Sequence, residues 1–165
     1  MVAATIGIYT PQSPHHPSLR TATDMKLDTA QKIITAALAH ARNANFKPLT
    51  MALLDARGAV KMAVAEDGTS LKRGDIAHGK AHGALALGRG SRAIQARADA
   101  QPAFISAVSH VVGGALIPVA GGVLIKDAQG TLLGVLGVSG DTSDNDEAAA
   151  VAGIKAAGLT PETGA

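Results

Sequence analysis

The stretch DIAHGKAHGALALG, residues 75–88, constrains the fold more than any other part of the chain. Its spacing predicts a helix, yet three glycines and four alanines leave little from which to build a polar side. At about 100° per residue, Asp75, His78 and His82 share one face, and Gly79, Gly83 and Ala86 form a smooth strip beside them. Lys80 points away from His78, in line with Ile76, Ala84 and Leu87. No side is plainly solvated, and a helix of that kind is usually covered on both sides. In a domain this small, the expected second cover is another copy of the chain seated on the glycine strip. A homo-oligomer is therefore expected.

The flanking sequence supplies a sheet for the helix to lie on. In LTMALLDARGAVKMAVAED, two apolar runs at 49–54 and 59–65 flank the turn signal Asp55-Ala-Arg-Gly58. A similar unit, GGVLIKDAQGTLLGVLGVSG, places Asp127-Ala-Gln-Gly130 between 122–126 and 131–138. Two such hairpins predict one antiparallel sheet. A first helix is expected from a capping box at Asp28 and Gln31, with Ile33, Ile34, Ala37, Leu38 and Ala41 on its buried face. Shorter helical segments are expected at 91–99 and from Pro102 to His110, with proline in a first turn. A last helix runs from about Ser143 to Ala157, capped by Thr142 or Ser143 and begun by Asp144, Asp146 and Glu147, whose charges suit its dipole. These elements in order predict an α+β fold, an antiparallel sheet covered by helices.

Composition narrows the function. A chain of 165 residues, 47% hydrophobic, suits one domain, expected over 25–160. Residues 1–24, broken by Pro11, Pro14 and Pro17 and lacking a basic start, are expected to be a disordered leader, not a signal peptide. A cytoplasmic location follows as the expectation. There are no cysteines, which excludes thiol catalysis, disulfides and thiolate metal sites. A net charge of +2 and only 2% aromatic residues argue against a nucleic-acid partner. No apolar run is long enough for a membrane span of about 20 residues.

Three readings of the polar residues on the 75–88 helix stay open. Asp75, His78 and His82 have the spacing of a metal triad. Alternatively, His78, His82 or His110 supplies one axial nitrogen to haem iron. The plainest reading is ordinary hydrogen bonding at a surface or interface. Lys80 either snorkels to water or sits in a pocket, where it needs an anionic ligand or a carboxylate partner. Residues 72–97 hold Lys72, Arg73, Lys80, Arg89, Arg92 and Arg97 against Asp75 alone, a charge balance suited to carboxylate groups. The diglycines Gly113-Gly114 and Gly121-Gly122 offer backbone amides that could cradle an anion. No dinucleotide fingerprint, P-loop or nucleophile elbow at Ser139 is present.

The segments MALLDARGAVKMAV, DIAHGKAHGAL, PVAGGVLI and LLGVLGVSGDTSDNDEAAAVAGI, taken in order, resemble the GlcG/HbpS family of small haem-binding or haem-associated proteins. The resemblance runs from about Asp28 to Gly158. It implies a profilin-like α+β domain that assembles into dimers, tetramers or octamers, and haem as the possible cofactor. On the family's pattern fall Lys80, Gly121-Gly122, Ser139, Asp146 and Glu147; His78 and His82 are not fixed parts of it.

Two functions are expected to compete. The first is an oligomeric binding protein whose leading ligand is haem or a related anionic molecule, held by Lys80, Arg73, Arg89, Gly121 and Gly122, with His78, His82 or His110 as the iron ligand. The second is a cofactor-free isomerase, tautomerase or lyase acting on an anionic metabolite, with Lys80 as acid/base or anchor beside Asp75 and Arg73.

Overall fold

The computed structural model describes residues 25–165; the expected leader lies outside the described residues. Helix α1 (Leu27–Asn43) leads into the hairpin β1 (Thr50–Asp55) and β2 (Val60–Ala65). Three helices follow, α2 (Arg73–Leu87), α3 (Ser91–Ala100) and α4 (Pro102–Val111). The second hairpin, β3 (Gly122–Lys126) and β4 (Leu132–Ser139), precedes α5 (Ser143–Ala156) and a short β5 (Thr160–Glu162).

The five strands form one antiparallel sheet in the order β2-β1-β4-β3-β5. The two hairpins join through β1 and β4, where Thr50 faces Ser139 and Leu53 faces Leu136. The D-A-x-G turns close by the same device. Asp55 Oδ1 accepts the amides of Arg57 and Ala59 at 2.9 and 3.0 Å, and Asp127 Oδ1 accepts those of Gln129 and Thr131 at 3.0 and 2.8 Å. The aspartate side chain stands in for a backbone acceptor.

Strand alternation sorts the core onto two faces. Met51, Leu53, Val123, Ile125, Leu136 and Val138 pack against Ile33, Ile34 and Ala37 of α1 and Ala149, Ala150 and Ile154 of α5. On the opposite face Leu54, Leu124 and Val135 meet Ala81 and Ala84 of α2. The α+β architecture thus agrees with the expected one, with two differences in detail. Helix α1 begins a residue before Asp28, with Lys26 at its cap and no side-chain cap bond, so Asp28 lies within the first turn and the capping box does not form. Strand β5 was not expected. Three residues with a proline carry no periodicity, and the strand exists because β3 offers it an open edge.

Candidate functional site

Helix α2 lies between two surfaces of its own chain. On the sheet side, a side chain at Gly137 would fall on the carbonyl oxygen of Ala77, and one at Gly122 on that of Lys80. Only glycine lets the helix backbone settle so close to β3 and β4. On the other side, a Cβ at Gly79 would lie 2.6 Å from Ile117 Cγ1, and one at Gly83 would lie 3.0 Å from Leu116 Cγ. The Ile117 amide also donates to the Gly79 carbonyl at 3.2 Å. The expectation that a second copy covers the glycine strip is therefore corrected: the segment after α4 covers it. This explains a helix without a polar face and leaves its second cover inside the protomer.

Lys80 is 2% exposed, and its Nζ donates to Asp146 Oδ2 at 2.7 Å. Asp146, 1% exposed, accepts the Asp141 amide on its other oxygen at 3.1 Å. Burial pushes the Asp146 carboxyl above the ordinary carboxylate range, against the pull of the Lys80 ammonium. The pair passes close by Gly121, where φ is +115° and a Cβ would lie 2.9 Å from Lys80 Nζ. Of the two environments the sequence allowed, Lys80 has the carboxylate partner.

Of the remaining expected residues, Arg73 comes near enough for its charge to act on Asp146, while Asp75 and Arg89 lie apart on the surface. Asp75 is exposed and pairs with Lys72 at 2.6 Å. Arg73 donates to Ser139 Oγ at 3.3 Å. Arg89 and His110 are exposed. Asp75 thus stands apart from its expected catalytic partners Lys80 and Arg73, and among the described residues Arg73 lines a cleft that includes neither Lys80 nor Arg89. The diglycines are also committed to the fold. The Gly122 amide donates to Ser91 Oγ at 2.7 Å, while those of Gly113 and Gly114 close the end of α4 on His110 and Ser109 carbonyls at 3.1 and 2.7 Å. None of these three amides is left to cradle an anion.

The histidines of α2 are placed differently. The rings of His78 and His82 stack, with centroids 5.8 Å apart and planes at 15°. His82 Nδ1 lies 3.0 Å from the Ala115 carbonyl, which can only accept, so this bond puts the ring proton on Nδ1. Among the described residues no group of three histidine, aspartate or glutamate side chains is placed to hold a metal ion, which removes the Asp75-His78-His82 triad. His78 instead lines an open groove of about 580 Å³, together with Lys72, Ile76, Gly79, Gly113 and Ile117. His110 lines a separate cleft of about 380 Å³ with Ile105, Leu116 and Pro118.

The fold and this groove define a small α+β domain with a ligand-sized, histidine-lined recess, well within the range of about 300–1,000 Å³ for small-molecule sites. A family model described as "Haem degrading protein HbpS-like" matches residues 25–155. The chain belongs to that HbpS-like family. Among solved structures, the PduOC:heme complex is similar to it with a TM-score of 0.74 and 21% identity, covering 83% of this chain and 97% of the other. Protein ORFY of Klebsiella pneumoniae gives 0.74 and 22%, covering 86% and 95%. A double mutant of HbpS from Streptomyces reticuli gives 0.69 and 23%, covering 90% and 97%. At these identities the structures establish the α+β fold. No curated protein matches the chain.

Proposed function

We propose that the chain is an oligomeric small-ligand-binding protein of the cytoplasm whose ligand is haem or a related anionic ring, held in the His78 groove. The observation that carries this reading is the position of His78 on the wall of a groove large enough for such a ligand. The lining fits a flat amphiphilic ring. Ile76 and Ile117 give apolar walls, Gly113 leaves open space where a side chain would stand, and Lys72, paired with Asp75 on the same wall, can turn its ammonium toward carboxylates. Membership of the HbpS-like family and similarity to the PduOC:heme complex support the choice of ligand.

Haem would supply a redox-active iron, and His78 would hold it through its imidazole. The chain's own part is to present and orient an imidazole. Stacking on His82 fixes the plane of His78, and the Ala115 carbonyl fixes His82 in turn. The oligomer is supported by α4, of which only Ile105 is buried while Phe104 is 44% and Val111 85% exposed. Among the described residues no helix is long and apolar enough to cross a membrane.

Titration with hemin, followed at the Soret band, tests the site. His78→Ala is expected to shift the band and weaken binding more than about tenfold, His82→Ala to weaken it less, and His110→Ala to leave it unchanged. A wild-type spectrum and affinity in His78→Ala would remove the proposed axial ligand. Light scattering of the purified chain tests the assembly, and a monomer at all concentrations would remove that part of the reading.

A further inference from the structure

We propose a second ligand site, for a small oxyanion, in the pocket at the start of α2, with Arg73 and Lys47 as its cations. The pocket has a volume of about 210 Å³ and is lined by Lys47, Thr69, Ser70, Arg73 and Gly140 among others. Two residues with cationic side chains and two with hydroxyls line it, the Thr69 hydroxyl donating to the Glu66 carbonyl at 3.0 Å, and no carboxylate is among its lining residues. It shares no lining residue with the His78 groove. The site is independent of the haem reading.

Arg73 is the unusual member. A guanidinium carries five N–H donors. That of Arg73 makes one long bond, Nη1 to Ser139 Oγ at 3.3 Å, and no ion pair among the described residues. Arg92, also half-buried, shows what this fold does with an arginine meant as a strut: it is clamped between Asp144 and Glu147. Arg73 has no such clamp. Among the described residues neither Arg73 nor Lys47 pairs with the exposed Asp67 beside Gly68, and two further carboxylates near the pocket in sequence are already engaged. Glu66 takes Arg42 at 2.9 Å and the Leu49 amide at 2.7 Å, and Asp141 takes the amides of Lys47 and Thr142 at 2.8 and 2.7 Å. Asp146, whose field Arg73 feels, is neutralised by Lys80.

The framework behind the guanidinium is polar as well. Ser139 is fully buried, and its cross-strand partner Thr50 has a buried hydroxyl with no partner among the described residues. An electropositive, hydroxyl-rich recess of this size is too small for a tetrapyrrole. It suits one phosphate or one short carboxylate, which an arginine fork binds through two parallel hydrogen bonds.

Calorimetric titration of the full chain with sodium phosphate and, separately, sodium acetate, each against sodium chloride at equal ionic strength, tests the site. At least one of the two is expected to bind more tightly than chloride; phosphate alone would define a tetrahedral ligand, acetate alone a planar one. Arg73→Gln is expected to abolish that binding and Lys47→Gln to weaken it several-fold, with hemin affinity unchanged in both. Arg73→Lys, which keeps the charge but loses the fork, is expected to weaken binding and serves if Arg73→Gln fails to fold. Binding no tighter than chloride, or wild-type binding in the Arg73 variants, overturns the proposal. Loss of hemin binding in Arg73→Gln overturns the separation of the two sites, whereas failure of His78→Ala to affect hemin bears on the groove alone.

Discussion

Lys72 and Lys80 lie on the same helix, and each pairs with an aspartate, Lys72 with Asp75 at 2.6 Å and Lys80 with Asp146 at 2.7 Å. The side chains of the first pair are 74% and 70% exposed, and those of the second 3% and 1%. Geometry alone would rate them equal. Solvent separates them: in water the first pair exchanges freely with other partners, whereas neither ion of the second can be left alone without a large desolvation cost. The buried pair is therefore a fixed strut between α2 and α5. The exposed one stands on the rim of the His78 groove, where its lysine is free to turn toward a ligand.

The sharpest way to break this contrast is Lys80→Ala. Removing one partner of a buried pair is expected to cost about 3–5 kcal/mol, read as a lower denaturant midpoint at unchanged slope. The double change Lys80→Met with Asp146→Leu should recover most of that loss, since no charge is then stranded. A loss under about 1 kcal/mol in the single variant would place Lys80 in the same class as an exposed pair. Gly137→Ala comes next. Its methyl would fall on the Ala77 carbonyl and force α2 off the sheet, at about 1–3 kcal/mol of overpacking. An unchanged midpoint there would show that α2 does not rest on β4 as described.

Asp55 offers an intermediate case, a buried carboxylate with Arg57, which is 65% exposed, as its partner. Burial alone would raise its pKa, but the Arg57 side chain and the amides of Ala59 and Arg57 outweigh it and hold the carboxyl below its ordinary value of 3.8. A depressed folded pKa gives stability that is present above the unfolded value and lost as pH falls through the folded one. Amide exchange at Arg57 and Ala59 should therefore accelerate below about pH 4, ahead of the core strands. Uniform exchange across the sheet at that pH would show that the turn is not held by this carboxylate. The smallest effect belongs to Lys72→Ala, with an unchanged denaturant midpoint and a modest loss of hemin affinity. A large drop in stability would mean that the two lysine pairs are alike after all.

The hairpins and helices were legible because each is encoded locally: D-A-x-G marks both turns, and the spacing of Ile33, Ile34 and Ala37 marks the α1 face. The pairing of Lys80 was not. Its partner lies 66 residues away, and helix spacing marks Lys80 as needing a carboxylate and Asp146 as a first-turn acid without joining the two. The glycine strip was seen but given to the wrong neighbour, since a small-residue face does not say whether its cover comes from the same chain. Residues 116 and 117, which fill that place, follow two glycines in a stretch with no periodicity of its own. The capping box failed for a related reason: propensity marks where a helix can begin, and packing of Met25 and Ala30 into the core sets where it does.

The bond between Lys80 and Asp146 also bears on the moment of folding. During synthesis the chain emerges from its beginning, so α2 and the first hairpin are present well before the last helix. Until that helix arrives, an ammonium headed for the dry interior has nothing to neutralise it, and docking α2 early carries a penalty. The strut thereby ties the burial of α2 to the docking of α5, since the Lys80 ammonium finds its counter-charge only there.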